Sequence, residues 1–389
     1  MKANKTIILA YMPIKNIERI FWKQFVQYCD SLNYNIVYIG EYEFNDDNVT
    51  SIRFPKNLDD LHITSENIPV YLSEEIVQAC FIRELTYGKI NELNGYKSIL
   101  GLACKLEDIV RQYNPELIIT WTQLLPVSFL LREIAKETNI KVYEAERAPI
   151  NNYIWIEPNG IHNLSKIWDI YPNVELNENY IEKGKAVAND LLNNVYGFRY
   201  HQKQQMSPLN GEKPIIFVPL DYVFESGWIP QEHPVCQERY STMPSPFLYI
   251  DYLNDCFKKN GGTLYIKPHP GCRYFDNIDK RKYNLINNDL EYLLRISDYV
   301  FCNYTKVAFP ALAMGKTVVT FVKNIALCSN ACFYQDIKNH LSIENFQIEK
   351  NEEHWNNIYN YFGWLSTYFY KISEEDNDSI KRFFHEVVL

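Results

Sequence analysis

This 389-residue chain lacks the signatures that most quickly assign a function. It has nine cysteines, an odd number, with no Cys-x-x-Cys pair; Cys328 and Cys332 stand four apart with no partner pair nearby. That excludes a disulfide framework and the usual zinc spacing, and predicts reduced thiols in a cytoplasmic protein. No apolar run approaches the roughly 18 to 20 residues of a membrane span. The apolar start ends at Tyr11-Met12-Pro13 and reads as a first strand, not a signal peptide. Positive charge is not in excess: the net charge is −9, which argues against nonspecific nucleic-acid binding. There is no Walker A loop and no Gly-x-Gly-x-x-Gly, and no Asp-x-Asp follows a predicted strand. Asn45-Asp46-Asp47 lies in a polar loop, so no metal site is expected.

What is present is ordinary in bulk and specific in detail. A chain that is 47% hydrophobic and 22% charged has the make-up of a soluble globular protein long enough for two cores. Aromatic residues reach 15%, many of them between Trp355 and Tyr370, which reads as packed terminal helices. The first half alternates strands (Thr6 to Tyr11, Asn35 to Ile39, Leu117 to Trp121, Lys141 to Tyr143) with helices (Ile17 to Leu32, Ser73 to Tyr113, Pro126 to Thr138). Such alternation predicts a parallel sheet covered on both faces. Glu182 to Asn194 follows as a helix, and the polar stretch Tyr200 to Lys213 marks a boundary. A second α/β unit then runs through strands at Pro214 to Leu220, Thr263 to Lys267, Tyr299 to Cys302 and Thr317 to Phe321. Helices are expected at Pro246 to Asn260, Asp289 to Ile296 and Val307 to Met314. The predicted domains are 1–205, 206–350 and a helical tail, 351–389, expected to pack back on the first domain.

Four clusters stand where predicted strands end, and in an open α/β sheet ligands bind at the carboxyl ends of strands. Glu144 and Glu146, two apart on extended chain, point the same way. Two close carboxylates suit a proton acceptor, and Arg147 beside them suits an anion. The loop after Pro219 carries Asp221 and Glu225, each a candidate nucleophile or base. In Lys267-Pro268-His269-Pro270 the prolines stop the strand and leave an ammonium and an imidazole at its tip. Both can hold a phosphate and assist a leaving group, with Arg273 in reach of the same anion. Asn303-Tyr304-Thr305-Lys306 joins a strand to a helix; a hydroxyl there can cap the helix and present N–H groups to an anion.

The order of these motifs resembles that of the capsule polysaccharide family of bacterial β-Kdo transferases, which use CMP-Kdo. More distantly it resembles bacterial sialyl- and polysialyltransferases. The resemblance spans roughly Leu117 to Phe321. It rests on Trp121-Thr122-Gln123, Tyr143-Glu144-Ala145-Glu146, Trp155-Ile156-Glu157 through Gly160-Ile161, Pro219-Leu220-Asp221 through Glu225-Ser226, Lys267-Pro268-His269-Pro270, and Thr305 through Leu312. Arg147 stands where the family has a glycine, Ala308 replaces another glycine, and Pro310 replaces a glutamate. Asp221 stands where glutamine is usual, which leaves the nucleophile open between Asp221 and Glu225.

The resemblance implies a GT-B-like α/β protein: two Rossmann-like domains facing a central cleft, acceptor on the first and donor on the second. It implies a metal-independent glycosyltransferase of surface polysaccharide biosynthesis. Lys267, Arg273, Asn303, Thr305 and Lys306 would hold CMP and the sugar acid, with Arg147 as a further anion contact. Catalysis would fall to Glu144, Glu146, His269 and either Asp221 or Glu225. The implied partners are CMP-Kdo or a related CMP-sugar and an oligosaccharide or lipid-linked glycan, so attachment at the inner membrane face is expected. An inverting CMP-sialic acid transferase, a UDP-sugar enzyme on the same plan, and a non-catalytic glycan-binding subunit stay open as alternatives.

Overall fold

The computed structural model describes residues 5–14, 16–61, 69, 71–86, 90–122, 125–158, 160–161, 164–194, 208–220, 246–269, 282–303, 305–336 and 338–389. Contacts divide the chain into two units. The first takes residues 1–148, Asn152–Ile161 and Phe369–Leu389; the second takes Pro149–Asn151 and His162–Tyr368.

The first unit opens with β1 (Lys5–Ala10), α1 (Glu18–Ser31), β2 (Tyr34–Gly40) and β3 (Val49–Arg53). Next come α2 (Glu74–Thr86), α3 (Gly95–Tyr113), β4 (Leu117–Trp121), α4 (Pro126–Thr138), β5 (Lys141–Arg147) and β6 (Tyr153–Glu157). The second unit holds α5 (Ile167–Ile170), α6 (Glu178–Asn193), β7 (Ile215–Pro219), α7 (Pro246–Asn260), β8 (Thr263–Lys267) and α8 (Leu290–Ile296). It continues with β9 (Tyr299–Cys302), α9 (Ala308–Ala313), β10 (Thr317–Thr320), β11 (Cys332–Tyr334) and α10 (Glu352–Tyr368). The chain then returns to the first unit with β12 (Tyr370–Lys371) and α11 (Asp378–Phe383).

Both sheets are Rossmann-like. The first has strand order β12-β6-β5-β4-β1-β2-β3, parallel from β3 through β5 and antiparallel at β6 and β12. The second, β11-β10-β9-β7-β8, is parallel throughout. Strands buried on both faces read as unbroken apolar runs, as Ile7-Ile8-Leu9 and Leu117-Ile118-Ile119 do. One face of the first sheet is sealed by Phe21, Trp22, Phe25 and Val26 of α1, a helical stripe. The returning tail closes that core: the Phe383 ring lies 5.1 Å from Phe25 and 5.9 Å from Phe21. On the other face α2, α3 and α4 pack together, and α4 lies against β4 and β5. In the second unit Phe301 centres the core, 5.8 Å from both Phe257 and Phe321.

The division differs from the expected one in two places. It falls near Ile161, ahead of the polar stretch at 200–213, because α6 packs against α10 and α9 of the second unit. The tail is also split: Glu352–Tyr368 belongs to the second unit, and only Phe369–Leu389 returns to the first. The α6–α10 crossing is close because each helix brings a glycine to it. A Cβ at Gly184 would run into the Tyr359 carbonyl, and one at Gly363 into the Tyr180 carbonyl. Helix backbones cannot easily yield to an added methyl in a filled interface.

Gly184→Ala and Gly363→Ala are each expected to destabilise the protein by about 1–3 kcal/mol, despite alanine's better helix propensity. Lys183→Ala, on the exposed side of the same helix, should stay within about 0.5 kcal/mol. Thermal melts of the three variants check this, and an unchanged or raised Tm for both glycine variants would contradict the close crossing.

Candidate functional site

In the second sheet β7 and β9 are neighbours, and the connection from β7 runs to β8 on one side while that from β9 runs to β10 on the other. Such a reversal opens a crevice at the carboxyl ends of the central strands. The parallel register sets Pro219 beside Lys267 and Phe217 beside Val300, so β7, β8 and β9 end level with one another. The Leu220 amide donates to the Lys267 carbonyl at 2.9 Å, tying two of these ends together. Lys267, His269, Asn303, Thr305 and Lys306 therefore stand on one edge around one topological switch point. Asp221, Glu225 and Arg273 lie outside the described residues.

Four of these residues have a defined setting. The Lys267 ammonium is half-buried and donates to the Asn288 carbonyl at 2.7 Å and the Asn287 side chain at 3.3 Å. Burial lowers its pKa, and the charge of Asp289 works against that shift. Burial also lowers His269 from the ordinary 6.5, which favours neutral imidazole in the unliganded protein. Asn303 is buried, and its carbonyl accepts from the side chain of Asn324, whose Oδ1 in turn accepts from the Ala326 amide at 2.8 Å. The Thr305 hydroxyl accepts from the Val307 amide at 3.3 Å. It is therefore not the cap of the following helix, which starts at Ala308, has Val307 at its cap position and is six residues long. Thr305 closes a local turn ahead of the helix instead.

The acidic motif of the first unit is placed differently from the sequence reading. Glu144 and Glu146 were expected in a loop after a strand ending at Tyr143, but β5 continues through Arg147. The extension exists because Glu144 to Arg147 pair antiparallel with Glu157 to Ile154 of β6, a strand absent from the sequence reading. Glu144 and Glu146 do share a face. Glu157 joins them directly across from Glu144, and Trp155 lies opposite Glu146. All three carboxylates are buried, at 1%, 8% and 0% exposure. Glu144 is ion-paired with Arg132 of α4, and Glu157 accepts from the Trp155 indole at 2.9 Å. Glu146, one residue from the strand end, accepts from the Arg147 amide at 2.8 Å. Alternation sends Arg147 to the opposite face, where it pairs with Glu18 and sits 5.6 Å over the Trp121 ring. Arg147 and the Glu144–Glu146 pair thus do not form one cluster.

Features without a sequence signal lie nearby. Tyr11 and Thr122, each just past a strand at the β1/β4 switch point of the first sheet, have φ of 59° and 55°. For a β-branched threonine that is a strained backbone, and such strain gathers at functional positions. Burial, then the charges of Glu41 and Glu84, push the Tyr11 phenol up. Arg132 had no signal either, since an arginine inside an amphipathic helix looks like a solvated face. An Asp-x-Asp does occur, at Asp376-Asn377-Asp378, but it is exposed at the start of α11, and Asp378 faces Lys381 at 3.5 Å. No group of three or more His, Cys, Asp or Glu residues able to hold a metal ion occurs among the described residues. No described helix is long and apolar enough to cross a membrane, and no disulfide forms among the described cysteines.

No protein-family model matches the chain, and no curated protein matches it. Solved structures give slight likenesses. The KpsC β-Kdo 2,7 transferase of Thermosulfurimonas dismutans is 14% identical, covers 74% of this chain and 87% of its own, and has a TM-score of 0.41. A glycosyltransferase from Rickettsia africae is 13% identical over 99% and 98%, with a TM-score of 0.38. The UDP-GlcNAc 2-epimerase of Neisseria meningitidis is 11% identical over 99% of each chain, with a TM-score of 0.39. Likeness at this level carries no argument about chemistry or substrate; the fold rests on the strand orders above.

Two outcomes are expected. Arg132→Met leaves Glu144 charged, buried and unpaired, and should cost about 3–5 kcal/mol. The double variant Arg132→Met with Glu144→Gln should recover much of that, because the orphaned charge is gone; denaturant titrations of both decide it. His269 has a folded pKa below its unfolded value, so below pH 6.5 the unfolded chain takes up a proton that the folded chain resists. Its contribution is therefore intact above 6.5 and lost as pH falls from there toward the folded pKa. Wild type should lose stability relative to His269→Gln across that window; parallel profiles would mean His269 titrates freely.

Proposed function

We propose that this chain is a glycosyltransferase, and that it moves the 2-keto-3-deoxy sugar acid Kdo from CMP-Kdo to a glycan or glycolipid acceptor. The observation that carries the reading is the gathering of Lys267, His269, Asn303, Thr305 and Lys306 at the switch point of the second sheet. Cations and donors fixed on strand ends suit an activated sugar whose leaving group is a nucleoside monophosphate. The resemblance of the motif order to that of β-Kdo transferases is what points to a CMP-sugar acid as donor.

In this reading the Lys267 ammonium and the His269 imidazole receive the developing charge of the CMP phosphate, without a divalent metal. A bound phosphate favours the imidazolium, so donor binding draws a proton onto His269. Asp221 or Glu225 attacks the anomeric carbon in a retaining reaction. Glu146 takes the acceptor proton, and Glu144, held by Arg132, keeps β5 and α4 in place. The acceptor is bound by the first unit.

CMP, CDP, UDP and GDP compared by thermal shift without added metal test the donor. CMP at 100 times its Kd should stabilise the protein by about 2.7 kcal/mol, and the other nucleotides by much less. His269→Ala should remove most of the CMP shift while leaving the unliganded Tm within a few degrees. A shift with UDP or GDP in place of CMP would overturn the donor assignment.

A further inference from the structure

The first unit contains an open cavity of about 440 Å³ at the carboxyl ends of β1, β2 and β3. One wall is α1, which presents Arg19 and Lys23 four residues apart on one face. The opposite wall is Arg53, the last residue of β3. Tyr42, just past the end of β2, is 38% exposed, with the Lys56 ammonium 5.4 Å from its ring centroid. A chain of net charge −9 thus lines one pocket with three cations, Arg19, Lys23 and Arg53. Arg19 and Lys23 have no ion pair among the described residues, and Arg53 spends its Nε on the Glu41 carbonyl at 3.3 Å, leaving its terminal nitrogens to the pocket.

The pocket also holds one carboxylate, Glu43. Glu43 and Asn45 line it and also line an adjoining hollow with Asp46 and Asp47. Cations alone fit any anion. Cations lining a pocket together with a carboxylate and an aromatic ring fit a narrower class: a ring carrying one acidic group and several hydroxyls. The acid pairs with the two guanidinium forks, the hydroxyls donate to the Glu43 carboxylate, and the ring's apolar face lies on Tyr42.

We propose that this cavity binds an acidic sugar residue of the acceptor, through Arg19, Lys23 and Arg53. The assignment of this sugar as acceptor rests on the glycosyltransferase reading; the existence of the site does not. A volume near 440 Å³ suits one or two sugar rings, and its place at the carboxyl edge is where doubly wound sheets take ligands.

The test is binding to the full chain, by calorimetry or ligand-observed NMR, with saturating CMP present and absent. The probes are glucuronate, its methyl ester, glucose and inorganic phosphate. Glucuronate should bind at least tenfold more tightly than the ester or glucose. Arg19→Ala with Lys23→Ala should weaken it at least tenfold while leaving the CMP shift unchanged, and Arg53→Gln should act in the same direction if the double variant folds poorly. Equal binding of acid and ester, or acid binding untouched in the folded variants, overturns the proposal. Phosphate competing as well as glucuronate overturns the sugar specificity. Glucuronate binding in a protein that ignores CMP, CDP, UDP and GDP alike would keep the site and remove the glycosyltransferase reading, so the two fail separately.

Discussion

Parallel pairing is the constraint on which the rest of this molecule depends. A strand in a parallel sheet must be followed by a crossover, so neighbouring strands finish at the same edge and their loops leave together. In the second sheet this sets Pro219, Lys267 and the end of β9 level, and residues far apart in sequence become neighbours. In the first sheet the same rule gathers the ends of β1 to β3 around one cavity. Hydrogen bonds between chain segments, such as Leu220 to Lys267, then fix the edge.

The two units treat charge differently. In the first, charges are buried in pairs: Arg132 with Glu144 on one face of β5, and Arg147 with Glu18 on the other. Such pairs offset the cost of desolvation and lock a helix to a strand, but add little net stability. At the edge of the second sheet Lys267 and His269 are desolvated and shifted toward their neutral forms. That arrangement leaves them responsive to an arriving anion.

Much of the second unit was legible in the sequence. The prolines of Lys267-Pro268-His269-Pro270 announce the end of β8, and the apolar runs of β7 and β9 lie within a residue of their expected limits. The first unit was less so at β5, where the apolar run is only Lys141 to Tyr143 and three of the next four residues are charged. Their burial depends on β6, on Arg132 and on Glu18, partners that local pattern does not reveal. The turn that makes the hairpin, with Asn152 at φ 64°, is a signal that could have found it. The domain boundary was misplaced for a related reason: the polar stretch at 200–213 looks like a linker, whereas Gly184 commits α6 to the second unit through a contact with α10, far downstream. The positive φ of Thr122 has no counterpart in composition.

The returning tail sets an order of events during synthesis. The core of the first unit is incomplete until Tyr370, Phe383 and Phe384 arrive, and these are made after the second unit. The whole second unit is translated in between and holds its own sheet and core. Folding is therefore nested: the later unit can finish while the earlier one waits with Phe21, Trp22 and Phe25 unsealed and the β6 edge unpaired. Exposed apolar faces and open strand edges are the features that chaperones bind and that aggregate when left alone. Of the two units, the one begun earlier is thus the one that closes later.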